Sequence, residues 1–177
     1  MSRYLHSFGA LGIIYEMTMN IVPQFGVTKC IYKDVSWDKI FKDKKTYDAV
    51  NDRFEFISYF TDWKEPKMTS VWLGSRYISI TDDYSIALAT TLDENCNDFF
   101  HAGKLVLKTH PVPGRSDEPC VESGFGMWND KIYHFLPDQP PSSAGDEIQS
   151  EFFVDYADMP AAVRDLYSHA DKFRDFV

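Results

Sequence analysis

Only three cysteines occur in the 177 residues, Cys30, Cys96 and Cys120, and none forms a C-x-x-C pair. An odd, widely spaced set of this kind argues against a disulfide scaffold and a structural zinc site, and it reads as a reduced, cytoplasmic chain with Cys30 in the core. The five histidines include no H-x-x-x-H pair, so no metal site is expected. No run of about 18 apolar residues is present, which excludes a spanning helix. Met1-Ser2-Arg3-Tyr4-Leu5-His6 lacks the basic-then-apolar build of a signal peptide. Basic charge is also scarce: the formal net charge is −9. The stretch Lys39-Ile40-Phe41-Lys42-Asp43-Lys44-Lys45 is interrupted by an acid and makes no phosphate-binding stripe. There is no G-x-S-x-G elbow, no G-x-x-x-x-G-K-[ST] loop and no internal repeat.

What is present is core material. Hydrophobic residues make up 44% and aromatics 16%, enough for one packed domain over 1–177. Strands are expected at Arg3–Ser7, Val27–Tyr32, Thr69–Leu73, Arg76–Ile80, Lys104–Lys108, Lys131–Leu136 and Ile148–Val154, from their β-branched and aromatic content. Gly74-Ser75 reads as a hairpin or a loop between two of them. Helices are expected over Ala10–Asn20, from the spacing of Ile13, Ile14 and Met17, and over Thr46–Phe60, with Thr46 as N-cap. Another passes through Ile86-Ala87-Leu88, capped by Thr81 or Asp82, and the last covers Asp158–Phe173 with Val163, Leu166, Tyr167, Ala170 and Phe173 on its apolar face. Pro111–Asp130 and Pro137–Gly145 are long loops, and Gly124-Phe125-Gly126-Met127-Trp128 within the first reads as a flexible turn. Strands and helices without regular alternation give an α+β fold.

Three short pieces carry candidate chemistry: Tyr4-Leu5-His6-Ser7, Tyr77-Ile78-Ser79-Ile80-Thr81, and Gln149-Ser150-Glu151. Residues two apart on a strand share a face, so Ser79 pairs with Thr81 and Gln149 with Glu151. In order and coarse spacing the three pieces resemble the motifs of the ADP-ribosyltransferase toxin fold, a split β-sheet with flanking helices. The resemblance implies a mono-ADP-ribosyltransferase or NAD glycohydrolase with NAD as substrate. It implies Glu151 as the carboxylate that stabilises an oxocarbenium-like transition state, with Gln149 on the acceptor. It further implies that Arg3 or His6, together with Ser79, Thr81, Tyr77 and Tyr84, contact NAD. The partner implied is a target macromolecule, protein ahead of nucleic acid, with no membrane. The acidic charge supports a second reading, a non-enzymatic inhibitor of phage or mobile-element type that blocks a host protein, including as a DNA mimic.

Overall fold

A computed structural model describes residues 12–77, 104–110, 121–131 and 150–176. Its centre is β1, Gly26–Ser36, a strand buried along most of its length. β1 pairs antiparallel with β3, Lys67–Tyr77, from Gly26 opposite Tyr77 to Ser36 opposite Lys67. β2, Phe56–Phe60, extends the sheet on the outer side of β3. On its other edge β1 takes two partners in turn. β7, Gly124–Met127, pairs with Gly26–Lys29, and β4, Lys104–Val106, pairs with Ile31–Lys33. A separate two-stranded ladder joins β5, Lys108–Thr109, to β6, Val121–Glu122.

The helices are few, and the arrangement is α+β, as the sequence predicts. α1, Lys44–Asn51, starts at Asp43, whose carboxylate accepts from the Thr46 amide at 2.7 Å and the Thr46 hydroxyl at 2.8 Å. The cap is thus Asp43 rather than Thr46, and the helix ends well before Phe60. The apolar residues Phe56, Ile57, Tyr59 and Phe60 follow helical spacing, but pairing with β3 satisfies their backbone and overrides it. A single helical turn, α2, covers Trp128–Lys131, and α3 covers Met159–Ser168 with Pro160 in its first turn, where a missing N–H costs nothing. α3 is shorter than expected: its chain continues as a 3-10 turn at Ala170–Lys172, and Leu166 is exposed rather than packed.

One face of the sheet is the core. Cys30, Tyr32 and Val35 of β1 and Met68, Val71 and Leu73 of β3 pack with Tyr47 and Val50 of α1 and Val163 of α3. Trp37, Ile40 and Phe41, in the turn after β1, close this cluster, and the Arg164 guanidinium donates to the Phe41 carbonyl at 2.6 Å. Asp34 adopts a left-handed conformation (φ 57°) inside β1, which breaks the alternation and returns Val35 to the buried side. Trp37 stands edge-on to Tyr167 at 4.7 Å and to Trp63 at 5.8 Å.

Several expectations are corrected here. Gly74-Ser75 is no turn: β3 runs straight through it, with Gly74 opposite Lys29. Gly124–Met127 is a strand, not a flexible turn. The expected strand over Lys104–Lys108 is broken at Leu107, which is exposed. Residues 12–24 form neither helix nor strand and are exposed. Cys30 is core, as expected, but it is disulfide-bonded to a cysteine outside the described residues, so it gives no support to a reduced compartment. Among the described residues no helix is long and apolar enough to cross a membrane.

Candidate functional site

The second face of the sheet has a different composition. Directly opposed residues in an antiparallel ladder point the same way, so the register places Lys29, Gly74 and Phe56 in one row. Ile31, Trp72 and Ser58 form the next row, and Lys33, Ser70 and Phe60 the third. Lys104 stands opposite Lys33, and Gly124 opposite Lys29. This face therefore gathers lysines and aromatic rings in a chain whose net charge is strongly negative.

Lys29 is its centre. The side chain is buried, and its ammonium lies 5.2 Å from the centre of the Trp72 ring, within cation–π range. Burial, with the Lys131 charge as a lesser cause, pulls its pKa down to about 8. A fraction of Lys29 is then neutral near physiological pH and able to accept a proton. Trp72 is fixed by an indole N–H donated to the Ser70 hydroxyl at 2.9 Å and by its packing on Phe60 at 4.7 Å.

Ion pairs border this centre. The Arg76 guanidinium donates to Glu55 at 2.7 Å, and Arg76 also lies over Phe25 at 5.7 Å. That bond is the main reason the Glu55 carboxyl is held below its usual range. Glu122 lies between Lys131, at 3.7 Å, and Lys108, at 3.8 Å. Among the described residues no group of three or more His, Cys, Asp or Glu side chains is placed to hold a metal.

Of the residues singled out from sequence, Arg3, His6, Ser79, Thr81, Tyr84 and Gln149 lie outside the described residues. Tyr77 is the last residue of β3, its backbone opposite Gly26. Glu151 is described and is exposed, in a stretch from Ser150 to Asp155 that belongs to no strand. The expected strand over Ile148–Val154 is therefore absent in its described part, where no strand among the described residues pairs with it. What the sequence reading missed was Lys29 and Lys33, four residues apart and so on one face of a largely buried strand. Charges an even number of residues apart inside a buried run are the signal that marks them.

Comparison with known proteins points elsewhere than NAD. No family model matches the chain. The chain is similar to the alditol oxidase of a Streptomyces species, with 30% identity over 174 residues. The match covers 97% of this chain but 36% of that enzyme, so the chain spans about a third of the length of its relative. This finding overturns the ADP-ribosyltransferase or NAD glycohydrolase function and NAD as the substrate that Glu151 and Gln149 would serve. The match gives no support to the alternative of a non-enzymatic inhibitor or DNA mimic.

Proposed function

We propose that this chain supplies the substrate-facing part of an oxidase of sugar alcohols. The observation that carries the reading is the 30% identity to alditol oxidase in a match that covers 97% of the chain. The second face of the sheet supplies the chemistry. A polyol has a carbon chain whose C–H side suits aromatic rings and whose hydroxyls need donors and acceptors. Trp72 and Phe60 offer the rings, while Lys29 and Lys33 offer the donors. Lys29, with its lowered pKa, is also suited to take a hydroxyl proton as the carbinol carbon is oxidised.

An oxidase moves two electrons from the carbinol to dioxygen through a bound redox group, which in this proposal is a flavin. The residues of the sheet do not fit such a group. A dinucleotide needs bare backbone at its pyrophosphate, and Gly26, Gly74 and Gly126 of the sheet are already covered. A Cβ at Gly26 would meet the Phe125 ring at 2.4 Å, at Gly74 the Phe56 ring at 2.7 Å, and at Gly126 the Lys131 chain at 2.7 Å. The share of these residues is therefore to bind and orient the polyol, and no redox step is assigned to them.

The test is titration of the chain with a five-carbon alditol, following the Trp72 indole resonance beside a Trp72→Leu variant. A saturable response of that resonance, with binding lost in the variant, is expected. No alditol binding, or binding indifferent to Trp72→Leu, would overturn the reading.

A further inference from the structure

Two stretches of the chain expose apolar side chains on a scale that surface residues of a folded protein seldom reach. Ile13 is 95% exposed, Tyr15 94% and Ile21 92%, with Met17 and Met19 also largely open. Phe152 and Phe153 are 87% and 95% exposed. Scattered apolar surface needs no explanation, but a contiguous patch does. The first stretch has a further property. From Tyr15 onward, Tyr15, Met17, Met19 and Ile21 occupy every second position with Glu16, Thr18 and Asn20 between them, preceded by the apolar pair Ile13-Ile14. Period two in extended chain is the signature of a half-buried strand, yet no strand partner is present among the described residues.

The match to alditol oxidase says what covers it. At 97% of 177 residues, the aligned stretch leaves only a few terminal residues out, so 13–21 and 152–153 lie well within it. In the Streptomyces enzyme the equivalent residues are embedded in a chain about three times as long, because the match covers 36% of it. We infer that residues 13–21 form a docking strand for the remaining portion of an oxidase polypeptide, pairing with an open sheet edge there and burying the Ile13–Ile21 face. Strand addition of this kind draws affinity from backbone hydrogen bonds and specificity from alternate side chains. The inference rests on the oxidase reading for its partner, but it involves none of the polyol-facing residues.

The test co-expresses the full 177-residue chain with the Streptomyces alditol oxidase from which the matched stretch has been removed. A complex is expected on size-exclusion chromatography, and in it the amides of Tyr15–Ile21 should exchange about 100-fold or more slowly than in the chain alone. Met17→Asp with Met19→Asp should abolish both effects, whereas Glu16→Lys with Thr18→Lys, on the opposite side of the strand, should leave the complex in place. These positions are exposed, so unchanged near-UV circular dichroism of each variant confirms an intact core. Absence of a complex, a complex that leaves Tyr15–Ile21 unprotected, or one that survives the double Asp variant would overturn the inference. Concentration-dependent protection in the chain alone would assign the strand to a second copy and overturn it equally. Alditol binding by the chain without any complex would sink this inference and spare the proposed function; the reverse result would do the opposite.

Discussion

The two faces of the central sheet are drawn from alternate residues of the same strands, and they obey different rules. Cys30, Tyr32, Val71 and Leu73 on one side meet α1 and α3 in a cluster whose carbon surfaces fit one another. One residue along from each, Lys29, Ile31, Trp72 and Gly74 face the other way, where a buried lysine packs against an aromatic ring beside the likewise buried Ile31. The first face is organised to exclude water. The second holds a buried lysine whose charge is costly and is tolerated beside an indole ring. A face that lowers the pKa of its own lysine is a better guide to chemistry than one that only packs.

Four changes would break or sharpen that contrast. Leu73→Ala, on the core side, should cost roughly 2–5 kcal/mol in urea unfolding, since a nearly inaccessible side chain leaves a cavity. Lys29→Met, opposite in both face and sign, should raise stability at neutral pH by at most about 3 kcal/mol, because it removes a charge that folding desolvates. The same lysine predicts a pH profile. Its proton is held less tightly in the folded state, where the pKa is about 8, than at its ordinary 10.5. Stability should therefore climb as pH rises through that interval, and the climb should vanish in Lys29→Met. Above pH 10 burial opposes the gain, because Tyr47 and Tyr59 are kept protonated in the fold and their contribution is lost as pH rises further.

Gly74→Ala tests how tightly the second face is filled. The new methyl would meet Phe56 at 2.7 Å and the Thr28 carbonyl at 3.3 Å, so a loss of roughly 1–3 kcal/mol is expected. Phe56→Leu in the same chain should recover part of it, which a double-mutant cycle in urea would read. The smallest effect belongs to Asp43→Ala, away from both faces, which should speed amide exchange in the first turn of α1 and leave β1 unchanged. The Thr46 amide holds the Asp43 carboxyl below its usual range, so the cap is in place at neutral pH and is lost as pH falls through that lowered value.

Much of this sheet was legible in the sequence, and the reasons for the rest are specific. β1 was readable because Val27, Cys30, Ile31 and Tyr32 form a buried run, and the α+β class followed from irregular alternation of elements. The Thr46–Phe60 helix failed because apolar spacing of three and four cannot distinguish a long helix from a helix followed by a strand. Only Asp52-Arg53 between the two, and the ladder with β3, decide it. The break expected at Gly74 failed because a glycine in a strand can be shielded by a neighbouring ring, here Phe56, instead of turning the chain. Residues 12–24 misled for another reason: Ile13, Ile14 and Met17 match helical spacing, while Tyr15, Met17, Met19 and Ile21 match the period of a strand. Of the candidate residues, Glu151 is exposed and in no strand, and short motifs such as Gln149-Ser150-Glu151 carry little information until geometry brings their members together. Lys29 was passed over because a lysine in a strand is usually solvated.

Ser123 has a consequence of its own. Its hydroxyl accepts from the Ile31 amide at 2.9 Å and donates to the Val106 carbonyl at 2.6 Å, on the edge of β1 where β7 gives way to β4. One side-chain oxygen thus takes the place of a rung in the ladder, and it stands at a branch point of the sheet. Below it the edge of β1 belongs to Gly124–Met127, and above it to Lys104–Val106. β4 runs on into β5 and β6 into β7, and the Ser123 amide donates to the Leu107 carbonyl at 2.8 Å, so the two outer strands are tied to each other as well as to β1.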